Sequence, residues 1–497
     1  MTAVADAIPA IAAIPAARPL PAGPESWFPG ELVWSLRADT LGFLTRVART
    51  WGDVVPFRAG GWQYVFLNAP EAIREVLVTK SDKFIKGPAL RRAKDTLGEG
   101  LLTSEGDFHR RQRRLSQPAF QPQRVAGYAD VMAGTAEQAA ASWRDGQVVD
   151  AHEQMMRVTL RIVAETLFGA DVGGDVDAIG HAMDVSVRMF TRAMSPWGPL
   201  LNRLPLPSNV RFKRARGLLF DTVDRFVARR RADFAAGLTG RTDLLSTLLR
   251  ATDEESKDEG GRMKDEAGMA PPVHPSSVRL HPSSSMTDAQ LRDEALTLFT
   301  AGHETTANAL TFAWYLLSRH PEAEVRLHAE VDAALGGRRP AAADLDRLPY
   351  ARAVVAEAMR LYPPAWAVGR ESTEAVDVGG YALPPRTVVL MSQWVTHRDG
   401  RWWPDPGRFD PGRWLTHAGE FGIAAPGHPR YAYFPFGGGP RSCIGEAFAW
   451  AEAVLVLATI ARRWAMRLVR PAEPLDVIPT ITLRPRYGVP VVLRRRG

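Results

Sequence analysis

One cysteine, Cys443, stands in the run Phe436-Gly-Gly-Gly-Pro-Arg-Ser-Cys443-Ile-Gly445, ahead of a helical stretch that begins at Glu446. Three consecutive glycines allow a tight turn and a close approach of backbone to a flat object. The helix that follows offers free N–H groups and a positive dipole end to a thiolate, a setting that lowers a thiol pKa as a metal ligand requires. A core cysteine would need neither the glycines nor Phe436 and Arg441, so the pattern points to Cys443 as a ligand. A second group is Ala301-Gly302-His303-Glu304-Thr305-Thr306. Glycine costs about 1 kcal/mol against alanine inside a helix and threonines compete with the backbone ladder, so a local distortion beside a ligand is expected there. A zinc helix is excluded, because Ala307 stands where the second histidine would fall.

These side chains need rigid carriers. Thr287 with Gln290 three residues on forms a capping-box pattern, and no proline follows until Pro321. Some 32 residues of helix make a rod of roughly 48 Å, long enough to cross the whole protein. Helices near 322–335 and 349–361 follow, then an irregular region at 363–440, a helix after Cys443 and short strands near 475–494. Upstream, residues 53–67 alternate around Gly60-Gly61 and read as a β-hairpin, and residues 70–250 are mostly helical. The class is mainly α with small β-sheets.

The cysteine loop resembles the haem-binding loop of the cytochrome P-450 family at Phe436, Gly439, Arg441, Cys443 and Gly445, and the stretch 301–306 resembles that family's oxygen-binding segment. The likeness covers almost the whole chain and implies the family's fold as a single large domain. It implies haem b with Cys443 as axial ligand, whose electron donation favours O–O cleavage. Ala301 and Gly302 would leave room over the iron, and Glu304 and Thr305 would relay protons toward dioxygen. Arg441 would hold a haem propionate. Glu357 and Arg360, at i, i+3, would form a buried network with Arg413, although Gly412 stands where the family usually has glutamate. His109 and Arg113, at i, i+4 on one helix face, would join Arg370 in a cationic propionate cradle. The resemblance implies a monooxygenase that places one oxygen atom of O2 into an apolar small molecule. Electrons would come from NAD(P)H through a ferredoxin or flavodoxin and its reductase. A peroxide-driven or rearranging enzyme would need no proton relay, and a non-catalytic haem sensor would need an output domain.

Composition sets the outer bounds. A chain of 497 residues with 45% apolar and 24% charged residues buries a large core. The single cysteine excludes an intramolecular disulfide and suits a reducing, cytoplasmic setting. The net charge of +7 is dispersed, which argues against nucleic acid and for solubility or an acidic protein partner; a monomer is expected. Pro9, Pro15, Pro19, Pro21, Pro24 and Pro29 interrupt the apolar leader short of the ~20 residues of a membrane span. We therefore expect a flexible leader over 1–30 with no membrane anchor, and a haem domain over 31–497. Asp253–Glu266 carries seven acids against three bases and runs into Pro, Ser and His through Ser285, so a disordered insert is expected at about 253–285. The residues expected to line a substrate pocket are apolar: 85–103, Phe299, Ala365 to Val368 and Ile478 to Ile481.

Overall fold

The structure is a computed structural model that describes residues 18–497, except 28–29, 93, 95–97, 194–200, 202–203, 205, 239, 241–242, 251–285 and 426. The expected insert at 253–285 lies outside the described residues. Of the leader, residues 18–27 are described, and part of that segment is tied down. The Arg18 backbone bonds Gly380 and Ala382, and Leu20 packs on an apolar cluster.

Eleven helices of eight residues or more are described: α1 Glu31–Ala38, α2 Thr40–Trp51, α3 Gly106–Ser116, α4 Pro122–Ala141, α5 Ala151–Phe168, α6 Val176–Ala193, α7 Pro207–Ala235, α8 Asp288–Arg319, α9 Pro321–Leu335, α10 Pro349–Leu361 and α11 Glu446–Ala461. The α8 rod has 32 residues and opens on the full capping box, with Thr287 Oγ1 accepting from Gln290 N–H and Gln290 Oε1 from Thr287 N–H. Its buried positions run round every side, so α8 is a central strut with α5, α7, α10 and α11 against it. The chain beyond 301 keeps its helical course. Thr305 and Thr306 hydroxyls bond the carbonyls of Ala301 and Gly302, and the expected distortion is absent. Gly302 packs close to α5, since a Cβ there would sit 3.1 Å from Val163 Cγ2. The glycine thus lets α8 and α5 approach closely.

Strands β1 Val54–Ala59 and β2 Trp62–Leu67 form the expected hairpin, with Gly60 and Gly61 at positive φ in the turn. Further strands are β3 Phe84–Lys86, β4 Val148–Asp150, β5 Val368–Ser372, β6 Val376–Val378, β7 Tyr381–Leu383, β8 Val388–Met391, β9 Trp464–Leu468, β10 Val477–Pro479, β11 Leu483–Pro485 and β12 Pro490–Arg495. The region from 368 to 391, expected to be irregular, supplies four of them. They are three to five residues long, too short for a periodicity signal, and they form by pairing: β8 lies parallel to β2 and antiparallel to β5. The large sheet runs β1-β2-β8-β5-β3, and β10-β11 is a separate hairpin. Among the described residues no helix is long and apolar enough to cross a membrane.

Candidate active site

The cysteine loop is built by its glycines. Gly437 and Gly439 have φ of 71° and 68°, and a Cβ on Gly439 would lie 1.9 Å from Leu77 O, so only glycine fits that contact. The Cys443 N–H donates to Phe436 O at 2.9 Å and closes the loop, and α11 starts two residues beyond the cysteine's neighbour Ile444. Phe436 leans on Trp450, ring centres 5.9 Å apart, while Gly445 lets Phe120 come within 3.7 Å of where its side chain would be. Protein packs closely round Cys443, yet the residue keeps exposed surface. Burial pushes the thiol up to about 11, against the hydrogen bond from Gly445 and the charge of Arg113. Among the protein's own groups, the helix end does not offset desolvation.

A cationic group gathers beside the loop. The Arg441 guanidinium donates to Glu105 at 2.5 Å through Nη2, while its Nη1 is buried with no partner. Arg370 is buried on β5, where its Nη1 donates to the carbonyl of neighbouring Gly369 at 3.0 Å. Burial and the charge of Arg441 bring it down to about 10. Arg113 reaches into the loop and donates to Ser442 O at 2.7 Å. His109 is brought down to about 4 by burial and by the charges of Lys86, Arg441, Arg113 and Arg370, so it is neutral at pH 7. Lys86 is the member that sequence reasoning missed. Its ammonium, buried at the end of β3, donates to Leu101 O and Ser104 O, and burial lowers it to about 7. A lone lysine in a short strand carries no signal. Three basic side chains, Arg441, Lys86 and Arg370, thus lie near Glu105, with Glu294, itself pushed up to about 7 by burial, the other carboxyl near Lys86.

On α8, Ala301 is exposed and Thr305 partly so, although most of the helix around them is buried. They share a face at i, i+4 that opens on the interior. Glu304 turns away. Its carboxyl is buried in the wall, accepting from Thr482 Oγ1 at 2.7 Å with Arg484 Nη1 at 3.7 Å, and burial raises its pKa. The structure therefore does not bring Glu304 and Thr305 together; each has its own partner. Of the expected lining, Ala89 and Leu102 meet Ile481, and Trp366 Nε1 donates to Thr480 O at 3.0 Å. Phe299 does not line a pocket. It packs edge-on to Phe168 and Phe226 in the core, 1% exposed.

Glu357 and Arg360 on α10 are wholly buried and doubly bonded at 2.8 Å, and Arg413 Nε reaches Glu357 Oε1 at 2.9 Å. Asp410 N–H and Trp414 Nε1 complete the carboxylate, and carbonyls of His397, Pro406 and Arg408 complete Arg360. Gly412 leaves this network intact, because Asp410 Oδ1 takes its N–H instead.

An interior thiol, an apolar helix face and a surplus of buried guanidinium, one nitrogen of it unpartnered, fit a flat metal-bearing group with two carboxylates. The model of the cytochrome P-450 family matches residues 21–270 and 276–489. The chain belongs to that family, whose members bind haem and act on O2 with supplied electrons. Among its relatives, cyclooctatin synthase of Streptomyces melanosporofaciens is 41% identical over 438 residues, 88% of this chain and 85% of that one. Cyclooctat-9-en-7-ol 5-monooxygenase of the same organism is 36% identical, covering 84% and 83%. Pentalenene oxygenase of Streptomyces avermitilis is 35% identical, covering 91% and 92%. The protein is a haem-thiolate monooxygenase that inserts one oxygen atom from O2 into its substrate.

Proposed function

We propose that the substrate is a terpenoid alkene or alkenol and that Cys443 would hold the iron of a haem b. The carrying observation is the unpartnered Arg441 Nη1 among Arg113, Arg370 and Lys86, beside the one interior thiol. When bound, the haem supplies the activation of dioxygen for transfer to a C–H or C=C bond. Arg441 Nη1 and Arg370 would donate to the propionates, with Lys86 and neutral His109 at the same side. Ala301 gives the substrate room, and Thr305 holds a hydroxyl on the same face. Glu304 would take up and release a proton in the wall behind, with burial biasing it toward the acid. Ala89, Leu102 and Ile481 close the apolar side and exclude water. The relatives' names, cyclooctat-9-en-7-ol 5-monooxygenase and pentalenene oxygenase, support an apolar alkene or alkenol as ligand.

Electrons come from NAD(P)H through a ferredoxin or flavodoxin and its reductase, which suits a monomer in the cytoplasm. On α3, Arg110 and Arg114 are exposed, and Arg110 is paired with Asp107, so Arg114 is the stronger docking charge for an acidic partner. The test is spectral. Titrating terpenoid alkenes into the oxidised protein is expected to shift the haem band, and fatty acids are expected to do so weakly. A fatty-acid response with no terpenoid response would overturn the substrate class.

A further inference from the structure

Three elements distant in sequence converge on Glu304. Thr482, between β10 and β11, donates its hydroxyl proton to Glu304 Oε1 at 2.7 Å. Asn308, one turn farther along α8, donates Nδ2–H to Thr482 Oγ1 at 3.3 Å. His152, near the start of α5, meets Asn308 Oδ1 through Nε2 at 3.0 Å. An amide oxygen only accepts, so in this arrangement the imidazole carries its proton on Nε2. Every donor in the chain points toward Glu304, and that order suits a carboxylate.

Protonation of the oxygen that faces Thr482 would set donor against donor. The chain is satisfied again only if its order reverses. Glu304 then donates to Thr482, Thr482 to the Asn308 oxygen, and the turned amide to His152 Nε2, with the imidazole proton on Nδ1. The same side chains in the same places serve both states. The other charged groups near Glu304 are Arg484 at 3.7 Å and, behind it, Asp184, which binds Arg484 at 2.5 Å and Arg188 at 2.8 Å. His303, its neighbour on α8, turns to Phe299 O. Arg484 favours the charged carboxylate, burial, the larger effect, favours the acid, and the direction of the hydrogen bonds adds its own bias. His152 is suited to the part, because burial and Arg484 hold it neutral.

We propose that Thr482, Asn308 and His152 form a hydrogen-bond chain of reversible direction that sets the protonation of Glu304, with Asn308 as the positioning residue. An amide does not hand on protons, so the chain controls Glu304 and is not a wire from solvent. The inference rests on the reading of Glu304 as the proton reserve of the site. It extends that reading to Thr482, Asn308 and His152.

The experiment is a pH titration of the Glu304 carboxyl by infrared difference spectroscopy on the haem-loaded protein, with the acid C=O band identified by its loss in Glu304→Gln. Thr482→Val is expected to raise the midpoint by about one pH unit, while Thr482→Ser keeps it, since the lost bond is one to a charged acceptor. His152→Phe and Asn308→Leu are expected to move it by roughly two- to threefold in proton concentration, and neither is expected to add anything when combined with Thr482→Val. The pH midpoint of the product-to-peroxide ratio should follow. Additive effects in the combined variants, or a midpoint unmoved by Asn308→Leu, would overturn the chain. If Glu304→Gln leaves that ratio unchanged at every pH, the proton-reserve reading falls and takes the chain's purpose with it. If that ratio responds while the chain variants do nothing, only the chain is wrong.

Discussion

Glu357→Gln should be the most damaging single change outside the cysteine loop. The carboxylate accepts five hydrogen bonds, from Arg360 Nε and Nη2, Arg413 Nε, Asp410 N–H and Trp414 Nε1. Glutamine keeps one oxygen and sets an NH2 against donors at the other, so two or three donors lose their acceptor. Two guanidinium groups, one of them wholly buried, are left without a counter-charge. Breaking a buried pair by removing one partner costs about 3–5 kcal/mol. With an unfolding entropy of about 2.1 cal/mol/K per residue, a chain of 497 residues has about 1 kcal/mol/K, so Tm should fall by about 3–5 °C. The assay is thermal unfolding by circular dichroism at matched scan rates, with Glu473→Gln as control. Glu473 and Arg470 form an exposed pair, and that change should cost under about 0.5 kcal/mol. A Glu357→Gln loss no larger than the control's would refute the reasoning, because buried charge would then be no more dependent on its partner than surface charge.

Cys443→Ser should abolish the strongly red-shifted band of the reduced carbon monoxide complex; a surviving band would remove Cys443 as ligand. Thr305→Ala should leave haem binding intact and divert reducing equivalents to hydrogen peroxide, as read from peroxide formed per NADPH consumed. Gly439→Ala should cost well over ~1 kcal/mol and impair haem incorporation, since positive φ and the Leu77 carbonyl both oppose a side chain there. His303 and His328 are each brought down to about 4 by burial. Between pH 6.5 and 4 the unfolded chain binds protons that the folded chain refuses, so their contribution to stability is lost as pH falls through that window; a His328→Gln variant should show a shallower fall in Tm over the same range. Deleting most of residues 253–285 should change Tm little, because long surface insertions have small closure costs.

Local physics made a large part of this protein legible in its sequence. The start and length of α8 follow from Thr287, Gln290 and Pro321, since a capping box and a proline act within one turn. The β1-β2 hairpin follows from Gly60-Gly61, and the glycine run ahead of Cys443 follows from the positive φ that only such residues adopt cheaply. Direction and company were decided by the tertiary structure. Which way Phe299, Gly302 and Glu304 point depends on how α8 is turned against α5 and the β10-β11 hairpin, and residue spacing along one helix does not contain that angle. Lys86 joins the arginines because β3 pairs with β5, some 285 residues away in the chain, as Lys86 stands opposite Arg370. The thiol of Cys443 is raised rather than lowered because desolvation depends on everything packed around it, whereas the helix end that favours its charge is the one part written beside it in the sequence.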